Sequence, residues 1–422
     1  MSQTTVIDNI TSARLAHLEF DIKYVDTSFV NAIRRIILSE IPNVAIGFDP
    51  YHADNSDITF YKNTSSLHNE YLGHRISLLP VCLSEQEIEV YDKNTKPVVM
   101  KLQKKNTGVD IMDITTDDIV VVDPDTGASM SLDETRRLFP LHHFTKDPIL
   151  ITKLKPNLYS SDSGEEIDVK MVVSKNIGKT HVRWVPTSTC TYVNIVDEEL
   201  AKQEFEKQIV NIPENKRDIF KNQFDNLEKQ RYFYRNEYNE ANQFHYTLVS
   251  ECALSPKYLF TKAIKILKAK TRVFLDNDSK YIVETMSGKD EDVELQGGAG
   301  DNDTAFSNLY IVVINDEDYT MGNFLQSMMF NILHRDLKYV NFIGYFKPHP
   351  LQNEIVFKIK FAPNAPFTNI KGMFDFVIPK ILDHIESIEK VWYEAIGEAV
   401  PETTTNRTDK STEKSKIVRK KK

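Results

Sequence analysis

Apolar and polar residues alternate along "LAHLEFDIKYV" (residues 15–25), the period-two pattern of a strand with one buried face. The period then changes. In "FVNAIRRIILSEIP" (29–42), Phe29, Ile33, Ile36 and Ile37 recur at helical spacing, while Asn31, Arg34 and Arg35 fall together on the opposite face. Thr27 or Ser28 is the expected N-cap, and Pro42 ends the helix by disfavouring helical geometry at Ile41. From 84 to about 175 the pattern breaks into short β-type runs, "DIVVVD" and "ILITKL", set between acidic and Gly/Pro-bearing turns, as in a small inserted lobe. Residues 197–243 are densely charged and interrupted by Pro213. A strand, a turn at Ser255-Pro256 and a helix return in "FHYTLVSECALSPKYLFTKAIKILKAKTRVFL".

The stretch "MSGKDEDVELQGGAGDNDTA" (286–305) has linker composition, acidic and nearly free of large apolar groups. A second domain follows. "LYIVVIN" reads as a strand, and a helix from Thr320 places Met321, Phe324, Leu325, Met328, Met329 and Ile332 on one stripe. Strands are expected around "NFIGYF" and "EIVFKIKF". A long helix from Phe367 to about Ile396 repeats apolar groups at 370, 374, 377, 381, 385, 388 and 392, with a kink expected at Pro379. Both chain ends read as disordered, and residues 397–422 form a polar tail that is basic at its end.

Composition narrows the function classes. With 422 residues, 41% hydrophobic and 27% charged, the chain is long enough for two or three domains with cores of their own. No apolar run reaches the roughly 18 residues of a spanning helix, and the start lacks the order of a secretory signal, so a soluble intracellular protein is expected. Cys82, Cys190 and Cys252 are dispersed without a CxxC, which fits a reducing compartment and excludes the common zinc pattern. A net charge of −9 makes proteins rather than phosphate backbones the expected main partners. "DPDTG" (123–127) puts a glycine where a calcium loop needs an acidic ligand and reads as a turn; "GGAG" (297–300) lacks the strand and helix of a phosphate cradle; His142 and His143 lack companion ligands. No nucleophile–base signature or aspartate cluster is present, so no catalytic residue, metal or cofactor is expected.

"FVNAIRRIILSEIPNVAI" followed by "NEYLGHRISLLPV" resembles the signature of the alpha-like subunits of cellular RNA polymerases: the bacterial alpha subunit, the archaeal D subunit and the third subunit of eukaryotic polymerase II. "NIGKTHVRWVPTSTCTY" and "YTLVSECALSP" resemble later stretches of that family. "INDEDYTMGNFLQSMMF" with "GYFKPHPLQNEIVFKI" resembles the eleventh subunit and the archaeal L subunit. The resemblance implies an α+β chain of two alpha-type dimerisation domains paired within one polypeptide. The first (1–83 and 176–285) is interrupted by the mainly β lobe (84–175), and the second (306–396) follows the linker. It further implies a large-subunit contact at Asn31, Arg34, Arg35, His74 and Arg75, and a pairing interface at Phe29, Ile33, Ile37, Phe324, Leu325 and Met328. The implied partners are the two large catalytic polymerase subunits and small polymerase subunits, with DNA met only through the assembled complex and no membrane. The lobe lacks the clustered cysteines that many members use for a metal or iron–sulfur cluster. Two partners on one chain fit the polymerase of a large cytoplasmic DNA virus, with a location in the host cytoplasm and virion, or otherwise the nucleus. The rival reading is a basic-tailed nucleic-acid-binding transcription accessory protein without polymerase association.

Overall fold

A computed structural model describes residues 4–14, 16–52, 56–157, 164–250, 254–276, 280–285 and 309–399. The linker 286–305, the GGAG segment, Cys252 and the tail from 400 lie outside the described residues. Strand β1 (Val6–Arg14) pairs antiparallel with β2 (His17–Lys23), so the expectation of a disordered start is corrected: the polar run "VIDNITSAR" is a strand because its partner β2 supplies the apolar face. Helix α1 (Thr27–Ser39) follows. Its cap is Asp26, not Thr27 or Ser28; the carboxylate accepts from the Ser28 amide at 2.7 Å, which satisfies one of the free first-turn donors. Pro42 opens β3 (Pro42–Ile46).

Then come β4 (Ile58–Asn63), α2 (Asn69–Ser77), α3 (Glu85–Val90), β5 (Val99–Lys105), β6 (Met112–Thr115), β7 (Ile119–Val122), α4 (Leu132–Leu138), β8 (Leu150–Leu154) and β9 (Glu166–Ile177). β9 is the spine of the lobe: β3, β4 and β5 all pair with it, and β7 continues from β5. The bounds 84–175 are therefore corrected, because the lobe's sheet recruits β3 and β4 from before residue 84 and β9 runs beyond 175. Hydrogen-bond partners far apart in sequence made that sheet, and composition carries no trace of them.

β10 (Thr187–Asn194), α5 (Glu198–Ile209), α6 (Arg217–Gln223), β11 (Gln243–Ser250) and α7 (Pro256–Asp276) complete the first unit. The charged segment after β10 is held by its own aromatic cluster, in which Phe205, Phe220 and Tyr232 gather within 5.1–6.1 Å of the buried Phe224. The first sheet runs β1-β2-β11-β10. Leu18, Phe20 and Ile22 alternate inward from β2, and Phe244, Tyr246 and Leu248 do so from β11, as the period-two reading required.

The second unit contains β13 (Leu309–Asn315), α8 (Tyr319–Met329, continued by a π-helical turn to Asp336), β14 (Val340–Phe346), β15 (Glu354–Phe361) and α9 (Ile370–Ile396). Its sheet begins with a strand from before the linker: β12 (Tyr281–Thr285) pairs with β13 from Tyr281↔Ile314 to Thr285↔Tyr310. The first-domain limit at 285 is thus corrected, since the chain crosses into the second sheet by residue 281. Helix α9 runs through Pro379 to a left-handed Gly397 at φ 73°, a conformation glycine adopts without Cβ strain.

Candidate functional site

The surfaces that join the two units are built from four helices. α1 lies across both α7 and α8, and α7 packs along α9. Phe29, Ile33, Ile36 and Ile37 of α1 are all buried, as are Met321, Phe324, Leu325, Met328 and Met329 of α8. The rings of Phe29 and Phe324 stand 6.5 Å apart across this seam. The α7–α9 seam carries the larger aromatic group. Trp392 of α9 enters the first unit's core, its ring 4.4 Å from Phe260 and 5.2 Å from Phe20, and its Nε1 donates to Thr261 Oγ1 at 2.8 Å. Truncation of a side chain so enclosed costs roughly 3–5 kcal/mol. Trp392 lay on a helical stripe in the sequence; only the assembled fold shows that its neighbours belong to the other unit.

Polar groups fix the register of these helices. Asp26, already the cap of α1, also accepts from Ser327 Oγ at 3.1 Å and Asn331 Nδ2 at 3.3 Å. Lys270 of α7 donates to Glu40 at 2.9 and 3.0 Å and stands 3.0 Å from Glu317, which Lys280 approaches at 3.3 Å. Glu317 is only 4% exposed. Two cations and two anions thus balance where the end of α1, α7 and the start of α8 converge. Burial works against the charged form of Lys270, but attraction to Glu317 and Glu40 outweighs it and raises the amine's pKa. Lys268 pairs with Glu386 at 2.8 Å and Glu389 at 3.3 Å across the α7–α9 seam. Arg335 clasps Glu240 at 2.7 and 2.9 Å with its guanidinium 4.1 Å from the Tyr238 ring centre. Sequence reasoning missed these groups. One signal existed: Ala263, Leu267, Lys270 and Phe274 keep a four-three-four spacing, so Lys270 occupies a seam position normally given to an apolar residue.

The residues assigned to the polar face of α1 divide. Arg34 donates to Asn31 Oδ1 at 3.2 and 3.0 Å and lies on the β10 side, where its charge reaches Tyr192. Tyr345 of β14 has its pKa raised by burial and by Tyr319, with the charge of Arg35 acting in the opposite direction. Arg34 and Arg35 are both half-buried rather than fully solvated. His74 sits edge-on to Phe48 at 5.3 Å and near His181, whose pKa is lowered by burial and then by the charges of Arg183 and His74. Arg183 in turn donates to the Ile46 carbonyl at 3.3 Å. The stretches "GHR" and "GKTHVRW", a hundred residues apart, therefore share one surface. Gly178 lets the second stretch pass close to the end of α1: a Cβ there would stand 2.3 Å from the Leu38 carbonyl.

Arg75 has a task within the chain. Its Nε donates to the Ile151 carbonyl at 2.9 Å and its Nη2 to Leu150 at 3.1 Å, tying α2 to β8. Arg75→Ala is expected to lower stability by about 1–3 kcal/mol, read as a shift in the urea midpoint. An unchanged midpoint would leave Arg75 free for docking alone.

Cys190 is buried beside Tyr246 OH at 3.3 Å, and desolvation pushes its thiol up to about 11, which makes it a packing group rather than a nucleophile. Among the described residues, no group of three or more His, Cys, Asp or Glu side chains is placed to hold a metal, and no helix is long and apolar enough to cross a membrane. Asp123 accepts from Asp125 N and Thr126 Oγ1, a turn as its sequence implied.

The family profile described as the RNA polymerase Rpb3/Rpb11 dimerisation domain matches residues 19–271, and a second profile with the same description matches residues 310–387. The chain belongs to the Rpb3/Rpb11 dimerisation-domain family. It carries two such domains in a mixed α+β fold. Curated relatives include the DNA-directed RNA polymerases I and III subunit RPAC1 of Mus musculus, 27% identical over 301 residues that cover 61% of this chain and 80% of the relative. The Saccharomyces cerevisiae RPAC1 is 26% identical, covering 62% and 84%. The DNA-directed RNA polymerase subunit Rpo3 of Methanosphaera stadtmanae is 27% identical, covering 41% and 55%. The Rpb3/Rpb11 profile matches meet the structure at the two seams: the first spans α1 and most of α7, the second α8 and most of α9.

Proposed function

We propose that the chain is a non-catalytic assembly subunit of a DNA-directed RNA polymerase, in which two dimerisation domains pair within one polypeptide and together dock the two large catalytic subunits. The observation that carries this reading is the occurrence of two Rpb3/Rpb11 dimerisation domains on one chain, with the helices of one packed against the helices of the other through Phe29–Phe324 and Trp392. Phe29, Ile33, Ile37, Phe324, Leu325 and Met328 are the α1–α8 part of the pairing interface. Asn31, Arg34, Arg35 and His74 form the docking side, Arg75 sharing its guanidinium with β8. Small polymerase subunits join the assembly, and DNA meets this chain only through the complex. Carriage of both partners on one chain fits the polymerase of a large cytoplasmic DNA virus, active in the host cytoplasm.

Co-expression of the tagged chain with the remaining polymerase subunits tests the reading. Stoichiometric recovery of two very large subunits is the expected result. Their absence, together with salt-sensitive binding of the purified chain to naked DNA, would turn the protein into an accessory nucleic-acid binder.

Pairing within one chain has its own test. After a protease site placed between 286 and 305 is cut, the fragments are expected to cofractionate at micromolar concentration, because the N-terminal fragment retains β12 as a strand of the second sheet and both helix seams persist. Free separation of the fragments would refute intramolecular pairing.

A further inference from the structure

We infer that β14 is a strand-acceptor edge for an extended acidic segment of another polymerase chain; this rests on the assembly reading above. β14 closes one side of the sheet β12-β13-β15-β14, and no described strand pairs with its outer side. Natural edges avoid pairing with strangers through charge, proline, bulges or brevity. β1 illustrates this, with Asp8 and two register shifts. β14 reads "VNFIGYF", without a charge or a proline; its one register shift lies at its start, between Val340 and Phe342, and the pairing is regular from Phe342↔Lys360 to Phe346↔Val356.

The side chains beside this edge specify the partner's chemistry. Phe342 and Phe346 stand on the outer face, 52% and 43% exposed. Gly344 between them carries no side chain, and Phe342 lies across it; a Cβ there would stand 2.8 Å from the Phe342 ring. The result is a flat apolar strip along the edge. Cations flank it. Lys358, the register partner of Gly344, holds its amine 5.3 Å from the centre of the Phe346 ring, and Lys347 stands 5.9 Å from that of Tyr319, itself 48% exposed. After Glu354 at its start, β15 contains two lysines and no further carboxylate, although the whole chain has a net charge of −9. A strand added here gains backbone hydrogen bonds from the edge, apolar contact with Phe342 and Phe346, and ion pairs with Lys358 and Lys347 if it is acidic.

The test uses the full chain in the co-expressed complex, with Phe346 replaced by a photo-crosslinking phenylalanine derivative. Irradiation is expected to join position 346 to an acidic extended segment of another polymerase subunit. In parallel, the double variant Phe342→Glu/Phe346→Glu is expected to keep the wild-type unfolding midpoint and to recover that subunit with a yield lower by about tenfold. Adducts only to residues 286–308, to a second copy of this chain or to nothing would overturn the inference, as would wild-type recovery by the double variant. Recovery of the large subunits by the wild-type chain in the same experiment separates failure of this edge from failure of the assembly reading. Should the double variant unfold early, Lys358→Glu supplies the comparison, since its side chain is exposed.

Discussion

Lys270→Met is expected to destabilise the paired chain by about 3 kcal/mol, the lower end of what removal of one partner from a buried ion pair costs. Lys280 keeps the value from rising further, because it still faces Glu317 at 3.3 Å when Lys270 is gone. Glu40 loses both of its hydrogen bonds from Lys270. The urea midpoint of the full chain and the association of the cleaved fragments should fall together, since the network spans the two units. Adding Glu317→Gln should cost less than the sum of the single changes, because the two groups are coupled. The pH dependence follows from the sign of the shift. The folded pKa of Lys270 is raised above the ordinary 10.5, so its contribution is complete below that value and disappears as pH climbs through the folded pKa. Stability attributable to Lys270 should be flat from neutral pH to mildly alkaline pH and decline only beyond. A wild-type midpoint in Lys270→Met would mean that the network orients the helices without stabilising them.

Reversal of the arginine face should act on assembly instead. Arg34→Glu/Arg35→Glu is expected to change folding stability by less than about 1 kcal/mol, because both side chains are half-solvated and no described carboxylate forms an ion pair with either. Loss of a hydrogen-bonded charge at an interface costs roughly 2–5 kcal/mol, and reversal adds repulsion, so recovery of a large subunit should fall by more than tenfold. The single variants are informative: equal losses would describe one broad contact, and a loss confined to one of them would place docking at that arginine. Assembly at wild-type yield by a normally stable double variant would leave both arginines as solvent-facing groups. An unfolded double variant would show instead that the Arg34–Asn31 contact supports the helix.

Much of this protein was legible in local pattern. The period-two alternation of β2 and β11 and the helical stripes of α1, α8 and α9 depend on neighbours within a few residues, and they stand in the structure where the spacing put them; Pro256, expected in a turn, is the first residue of α7. The resemblance of "FVNAIRRIILSEIP" and "YTMGNFLQSMMF" to polymerase subunits was likewise carried by short stretches, and the family profiles match both halves. Other elements escaped for a physical reason. β1 is polar along most of its length and exists because β2 offers it an edge; β12 is a strand of the second sheet only because β13 lies beside it. The cap, expected at Thr27 or Ser28, falls at Asp26 because all three residues are competent acceptors, and backbone geometry chose among them.

The sequence by itself determined helices α1, α7, α8 and α9 and strands β2, β11, β13, β14 and β15, because each follows from side-chain periodicity. The tertiary structure alone decided which buried faces meet. Phe29 and Phe324, Trp392 and Thr261, and Lys270 with Glu40 and Glu317 are separated by more than a hundred residues in all but one of their pairings, and an apolar stripe does not name its neighbour. Partner choice depends on complementary shape and on the placement of a few charges that must be neutralised once buried. Those are properties of two surfaces brought together, and neither stretch of sequence contains them alone.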